Sequence, residues 1–371
     1  GVWAQLGSDI AGNAPEVAIS PDGSKIFSND GALLKSYELV SGSWTTYLPN
    51  VTTSYVSKIS TSTNGNIVAV RPDVYSRQTI TTNAGYSFTL STSYNSNYVT
   101  NQAVSGNGNV RAIANKNANN STGEVVIYEK VNGTWSTTAS ATFTGASATE
   151  EFGRDVDISK DGTRVVMGSG TKMVVVEKSG GTWSQLGSDI SGSSTYVAIS
   201  RDGSKVFNYD GSSLKSYELV SGSWTQYLPD LSGLSSISAV QASNDGDIVA
   251  LSKTGSNQVY SKQNVTASGG YSISEAASLS EWPSGARISE NGSVLVTLSN
   301  KIFEKDSNGN WPSTPSATFP GSSLVVGVSD DGTRVAMQSA STMKVVEKPS
   351  TATTTYTVTV AFVGGGYRYY I

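Results

Sequence analysis

The side chains able to do chemistry in this chain are carboxylates and amides. Histidine and cysteine are both absent from its 371 residues. That removes the usual general base near neutral pH, the thiol nucleophile, the thiolate metal site and any disulfide framework. What remains is one dense acidic cluster, Glu150-Glu151 with Asp155 and Asp157, and a set of single Asp or Asn residues recurring along the chain. Two carboxylates flanking a glycosidic bond suffice for its hydrolysis, so a carboxylate glycoside hydrolase is the catalytic class left open. The plainer reading of the cluster, a solvated loop in the longest gap of the repeat, is favoured. The chain is expected not to be an enzyme, with no catalytic residues, no cofactor and no metal.

The recurring Asp and Asn residues belong to a motif, Ser-x-(Asp/Asn)-Gly, that closes eight times, at Gly23, Gly65, Gly108, Gly162, Gly203, Gly246, Gly292 and Gly332. Intervals of 40 to 54 residues match one four-stranded propeller blade. An alternating apolar stretch precedes each motif (Val17-Ala18-Ile19) and another follows it (Lys25-Ile26-Phe27). The Asp-Gly or Asn-Gly pair therefore reads as a type I′ hairpin, with the serine bonding into the turn. Asn replaces Asp freely, so these residues are turn formers, and they lack the tryptophan spacing of a sialidase-type Asp box.

A larger repeat contains the smaller one. Residues 1–50 and 181–230 agree at 35 of 50 positions, among them the block Lys35–Trp44 and its copy Lys215–Trp224. An aromatic opens the expected fourth strand of seven blades: Trp44, Tyr86, Trp135, Trp183, Trp224, Tyr271 and Trp311. The eighth unit lacks this strand, and Gly1–Gly7, with Trp3 and Leu6, matches Gly181–Gly187. The expected fold is thus all-β, an eight-bladed β-propeller over 1–348 made of two four-blade halves (1–180 and 181–348). The N-terminal strand closes the last blade, which removes the sheet edge at the seam. Two separate four-bladed rings are the alternative. The opening Gly1-Val2-Trp3 reads as mature fold, which implies that any leader has been removed.

The segments Trp183–Ile190, Glu151–Gly162 and Val174–Lys178 resemble FG-GAP-like propeller repeats, relatives of the integrin α-chain propeller found in secreted proteins of algae and other aquatic microbes. The resemblance covers roughly residues 1–348 and implies the propeller fold and a secreted, extracellular setting. The Phe-Gly pair survives only at Phe152-Gly153, and no turn carries the alternating acidic loop of the integrin type. The family's calcium binding does not carry over.

Residues 349–355 form a Thr-rich linker, open to O-linked sugar, and 356–371 a C-terminal extension. In the latter Tyr356, Val358, Val360 and Phe362 alternate as one face of a strand. Burying such residues is worth about 1.5–3 kcal/mol each, so a cover is expected. Its own ring, a further β-module or a neighbouring subunit could supply one, and donation to a neighbour propagates a filament. A net charge of −4 gives no footprint for nucleic acid, and no apolar run is long enough to span a membrane. Sequons for covalent glycans stand at Asn50, Asn119, Asn120, Asn132 and Asn264; a sixth, at Asn291, falls in a turn. The expected function is that of an extracellular structural protein, a propeller protomer of a filament or surface assembly joined to its own kind by the tail strand. The alternatives are a monomeric adhesion or glycan-binding propeller and the carboxylate hydrolase.

Overall fold

The computed structural model describes residues 2–11, 16–29, 32–53, 59–70, 73–80, 85–93, 99–253, 256–265, 270–279, 286–297, 299–320, 325–338 and 342–348. The linker and the extension, with Tyr356, Val358, Val360 and Phe362, lie outside them. The described residues are all-β and form eight antiparallel sheets of four strands, three with one further short strand. We number the sheets 1–8 along the chain; sheet 1 is Glu16–Ile19, Lys25–Asn29, Leu33–Val40 and Ser43–Thr52. The innermost strand of each sheet lies against that of the next, and Val325–Val328 of sheet 8 lies against Glu16–Ile19 of sheet 1. Sheets arranged radially in this way define a β-propeller. No helix among the described residues is long and apolar enough to cross a membrane.

Packing follows from the alternation of each strand. Ile158, Val165, Met167 and Val176 of sheet 4 meet Val110, Ala112, Val125 and Ile127 of sheet 3 in one buried cluster. Comparable clusters lie between sheets 1 and 2, 2 and 3, 4 and 5, 5 and 6, 7 and 8, and 8 and 1, so the core is distributed between sheets.

The Ser-x-(Asp/Asn)-Gly turns link the first two strands, but they are not type I′. Only their glycines have positive φ, 70° at Gly23 and 74° at Gly162; Asp22 and Asp161 do not. Gly23 N–H donates to the Ser20 carbonyl at 2.7 Å and Ser20 N–H to the Lys25 carbonyl at 2.8 Å. This is a type I turn ending in a left-handed glycine, within a four-residue hairpin loop. The side chains explain the choice: Ser20 Oγ donates to Asp22 Oδ1 at 2.5 Å, which also accepts from Ser24 N–H at 3.0 Å, while Lys25 N–H donates to Ser20 Oγ at 2.9 Å. Type I′ geometry occurs instead between third and fourth strands, where Ser41-Gly42, Asn132-Gly133 and Ser221-Gly222 have positive φ at both residues.

The N-terminal segment completes sheet 8. Ala4–Gln5 pairs with Val346–Glu347, and Leu6 N–H donates to the Val345 carbonyl at 2.8 Å. Trp3 is buried among Val294, Val335, Met337 and Val346, between sheets 7 and 8. Leu6 packs with Ile19, Ile26 and Val345, between sheets 8 and 1. Trp135 and Trp183 are likewise buried between sheets. Trp311 departs from the expected pattern: it precedes the fourth strand of sheet 7, Ala317–Thr318, because the hairpin Asp306–Asn310 displaces it.

Candidate functional site

The innermost strands surround a channel with a cavity of about 560 Å³. They run from a mouth marked by Asn101, Asp155 and Tyr196 to a second mouth formed by the Ser-x-(Asp/Asn)-Gly turns. Glu150, Asp155 and Asp157 are therefore not a solvated loop, as the sequence suggested. Glu150 is buried, with Lys172 Nζ at 3.3 Å, and the two aspartates line the channel. Glu151 is half-exposed and pairs with Arg154 at 2.9 Å.

The channel aspartates manage an edge problem. An innermost strand has one side unpaired, and its N–H groups need partners. Asp155 Oδ2 accepts from Val197 N–H at 3.0 Å, and Asp157 Oδ2 accepts from Ile199 N–H at 3.1 Å, both on the next sheet. Asn101 of the preceding sheet donates to Asp155. Burial pushes the Asp157 carboxyl up, against the pull of these N–H bonds and of Arg201. The residues thus tie sheets 3, 4 and 5 together.

At the turn mouth the variable x positions form a closed backbone circuit. Asp22 N–H donates to Thr63 O, Thr63 to Gly106, Asn107 to Lys160, Lys160 to Arg201, Asp202 to Asn244, Asn244 to Glu290, Asn291 to Asp330, and Asp330 to Pro21, all between 2.7 and 3.2 Å. The donor alternates between the x residue and the Asp or Asn after it. Proline at position 21 fits because that turn donates through Asp22.

Four x residues also meet across this mouth. Lys160 Nζ of sheet 4 lies 2.7 Å from Glu290 of sheet 7 and 3.0 Å from Asp330 of sheet 8. Arg201 of sheet 5 pairs with Glu290. Burial and the neighbouring Glu290 push the Asp330 carboxyl up to about 7, while Lys160 opposes the rise. Burial works to raise Glu290, but Arg201, Asp330 and Lys160 together hold it below the usual range. Sequence reasoning missed this plug. The x column, read down the eight motifs, carries its signal: two bases and two acids among otherwise small or neutral residues.

The sequon residues are spread over sheets 1, 3, 6 and 7. Asn50 is exposed in strand Ser43–Thr52, and Asn132 is exposed in its turn. Asn119 and Asn120 are exposed and left-handed, with φ of 52° and 58°. Asn264 lies in strand Ser256–Val265 opposite Tyr271. The Asn291 amide nitrogen donates to the Asp331 carbonyl at 2.8 Å.

No family model matches the sequence, and no curated protein matches it. Solved structures do resemble the fold. The Dos1 propeller aligns with a TM-score of 0.59 and 13% identity, over 93% of this chain and 94% of that one. The C-terminal WD40 domain of Sif2 aligns with a TM-score of 0.62 and 12% identity, over 94% and 99%. At such identities the likeness is one of fold, and the fold is a β-propeller.

Proposed function

We propose that the protein is a structural protomer: eight blades closed into one rigid ring of the FG-GAP-like kind, serving as the body of an extracellular filament or surface assembly and joined to the next copy through its C-terminal strand. The observation that carries this reading is that the turn-to-turn bonds and the pairing of the last sheet close among the described residues, which end at Lys348. The circuit of turn-to-turn bonds returns to its start, and Lys348 N–H donates to the Thr333 carbonyl at 2.9 Å, the last such bond of the sheet among the described residues. The adjacency of the innermost strands of sheets 4 and 5 supports one ring over two. Of the channel carboxylates, Asp155 and Asp157 are committed to backbone N–H groups and Glu290 and Asp330 to Lys160 and Arg201, which supports a structural role over a hydrolytic one. The alternating apolar pattern of residues 356–362 suits a connector strand by composition.

Sedimentation of the intact chain and of a chain truncated after Lys348 tests this. The intact chain is expected to assemble and the truncated one to remain a folded monomer. Val358→Asp with Val360→Asp is expected to block assembly without lowering the melting temperature. Identical monomers from intact and truncated chains would overturn the reading. A glycan-binding propeller is then the second reading, favoured by the polar-walled cavity beside Tyr196 and Asn101.

A further inference from the structure

Each sheet ends in an outermost strand whose far edge offers backbone groups to another chain. In six of the eight sheets that edge is interrupted. The outermost strands of sheets 1 and 5, Ser43–Thr52 and Ser223–Leu231, each carry two register breaks and a proline, Pro49 and Pro229. Those of sheets 3, 4 and 8 are split in two: Thr134–Trp135 with Ala141–Thr144, Thr182–Gln185 with Ile190–Ser191, and Ala4–Gln5 with Ile10–Ala11. Sheet 7 ends in two residues, Ala317–Thr318. Bulges, proline and short strands are the usual means of blunting an edge.

Sheets 2 and 6 differ. Their outermost strands, Gly85–Ser93 and Gly270–Leu279, contain no proline and pair without a break from Gly85 to Leu90 and from Gly270 to Glu275. Six residues give an edge of about 20 Å at ~3.3 Å per residue, which the eight residues 356–363 of the extension can match. The sequences separate the two edges. Tyr86-Ser87-Phe88-Thr89-Leu90 alternates apolar and hydroxyl residues as Tyr356–Phe362 alternates apolar with Thr or Ala, whereas Tyr271-Ser272-Ile273-Ser274 runs into Glu275. Cross-strand apolar rows on a common face stabilise strand addition.

We infer that the outer edge of Gly85–Leu90 is the acceptor for residues 356–363 of a second copy of this chain. The inference rests on the reading of the extension as a connector and adds where it docks. One donated strand per copy, entering one edge of the next, gives a head-to-tail contact that propagates.

Hydrogen–deuterium exchange on the assembled intact chain, against the chain truncated after Lys348, tests the acceptor directly. Amides of Gly85–Leu90 are expected to exchange at least about ten-fold more slowly in the assembly, with Gly270–Glu275 unchanged. Ser87→Pro and Phe88→Pro give a second measurement, since neighbouring residues of an edge strand point their N–H groups to opposite sides. The one that removes the outward N–H is expected to keep the parent melting temperature and lose assembly. Tail-dependent assembly with protection at Gly270–Glu275, or anywhere other than Gly85–Leu90, would overturn the acceptor and leave the connector reading standing. Monomers from both intact and truncated chains would overturn both.

Discussion

Arg334 donates through Nη1 to the Gly23 carbonyl at 3.0 Å, across the junction where the two ends of the ring meet. Arg164 makes the same bond to Gly203 at 2.9 Å, between sheets 4 and 5. Each arginine is held by a glutamate of its own sheet at 2.8 Å, Glu347 and Glu177. Trp44 Nε1 donates to the Leu6 carbonyl at 2.9 Å, as Trp224 does to Leu186 at 2.8 Å. The seam is therefore built like an internal junction. A tandem duplication has this property by construction, because the end of its second half meets the start of its first as the first half meets the second.

Equivalence of the two junctions makes a quantitative prediction. Arg334→Ala and Arg164→Ala each remove one carbonyl bond and one half-exposed ion pair, worth about 1–2 kcal/mol together. Denaturant unfolding should give losses that agree within about 0.5 kcal/mol. A clearly smaller loss for Arg334→Ala would mean that the seam is looser than the internal junction.

Trp3 tests the contribution of the N-terminal strand more severely. Truncating a buried tryptophan costs about 3–5 kcal/mol, and Trp3 sits in the apolar cluster between sheets 7 and 8. Trp3→Ala should lower the melting temperature by several degrees, and Trp311→Ala, at a half-exposed position outside any strand, should lower it by less. A Trp3→Ala protein that melts with the parent would show that the last sheet does not need its borrowed strand.

The turn carboxylates set the acid limit of stability. Burial acts to raise Asp22, Asp161, Asp202 and Asp331, but hydrogen bonds from the flanking Ser or Thr outweigh it and leave all four lowered. A group lowered on folding contributes stability that is full above its unfolded value and is lost as pH falls through the folded one. Melting temperature should therefore fall steeply below about pH 4. At neutral pH, Asp161→Asn should be mild, because the amide oxygen still accepts from Ser159 and Thr163, and Asp161→Ala should cost about 1–2 kcal/mol. Equal losses for Asn and Ala would refute the acceptor role.

The turns were legible in the sequence because their chemistry is local: Ser20, Asp22 and Gly23 satisfy one another within five residues. The ring was legible because Gly1–Gly7 repeats Gly181–Gly187. The channel was not. Asp155 and Asp157 sit beside Glu150 and Glu151 in the chain and look like a charged loop, yet a strand start at Asp155 aims them at the next sheet. Lys160, Glu290 and Asp330 are separated by up to 170 residues, and nothing local marks the x position of a turn as facing the channel. The type I′ assignment failed for a related reason: Asp-Gly is compatible with both turn types, and the serine bonds select the other one.

The channel plug predicts a pH dependence of opposite sign to that of the turns. Asp330 is raised to about 7 by burial and by Glu290, with Lys160 opposing. Between the unfolded carboxylate value, about 4, and about 7, the folded chain holds a proton at this site that the unfolded chain does not. Stability is then greatest on the acid side of that window and declines as pH rises through it. Glu290 is lowered and acts only below its own unfolded value, at the acid edge of the window, and the pair titrates as a unit. Melting temperature should accordingly be higher near about pH 5 than near about pH 8. Asp330→Asn should flatten that slope, because an amide can donate to Glu290 at every pH and cannot ionise. Glu290→Gln should also flatten it, by removing the charge that holds the proton on Asp330. Lys160→Met should steepen it, since the ammonium is what tempers the repulsion between the two carboxylates. A parent protein whose melting temperature is level across the window, or an Asp330→Asn variant that keeps the parent slope, would remove Asp330 as the titrating group.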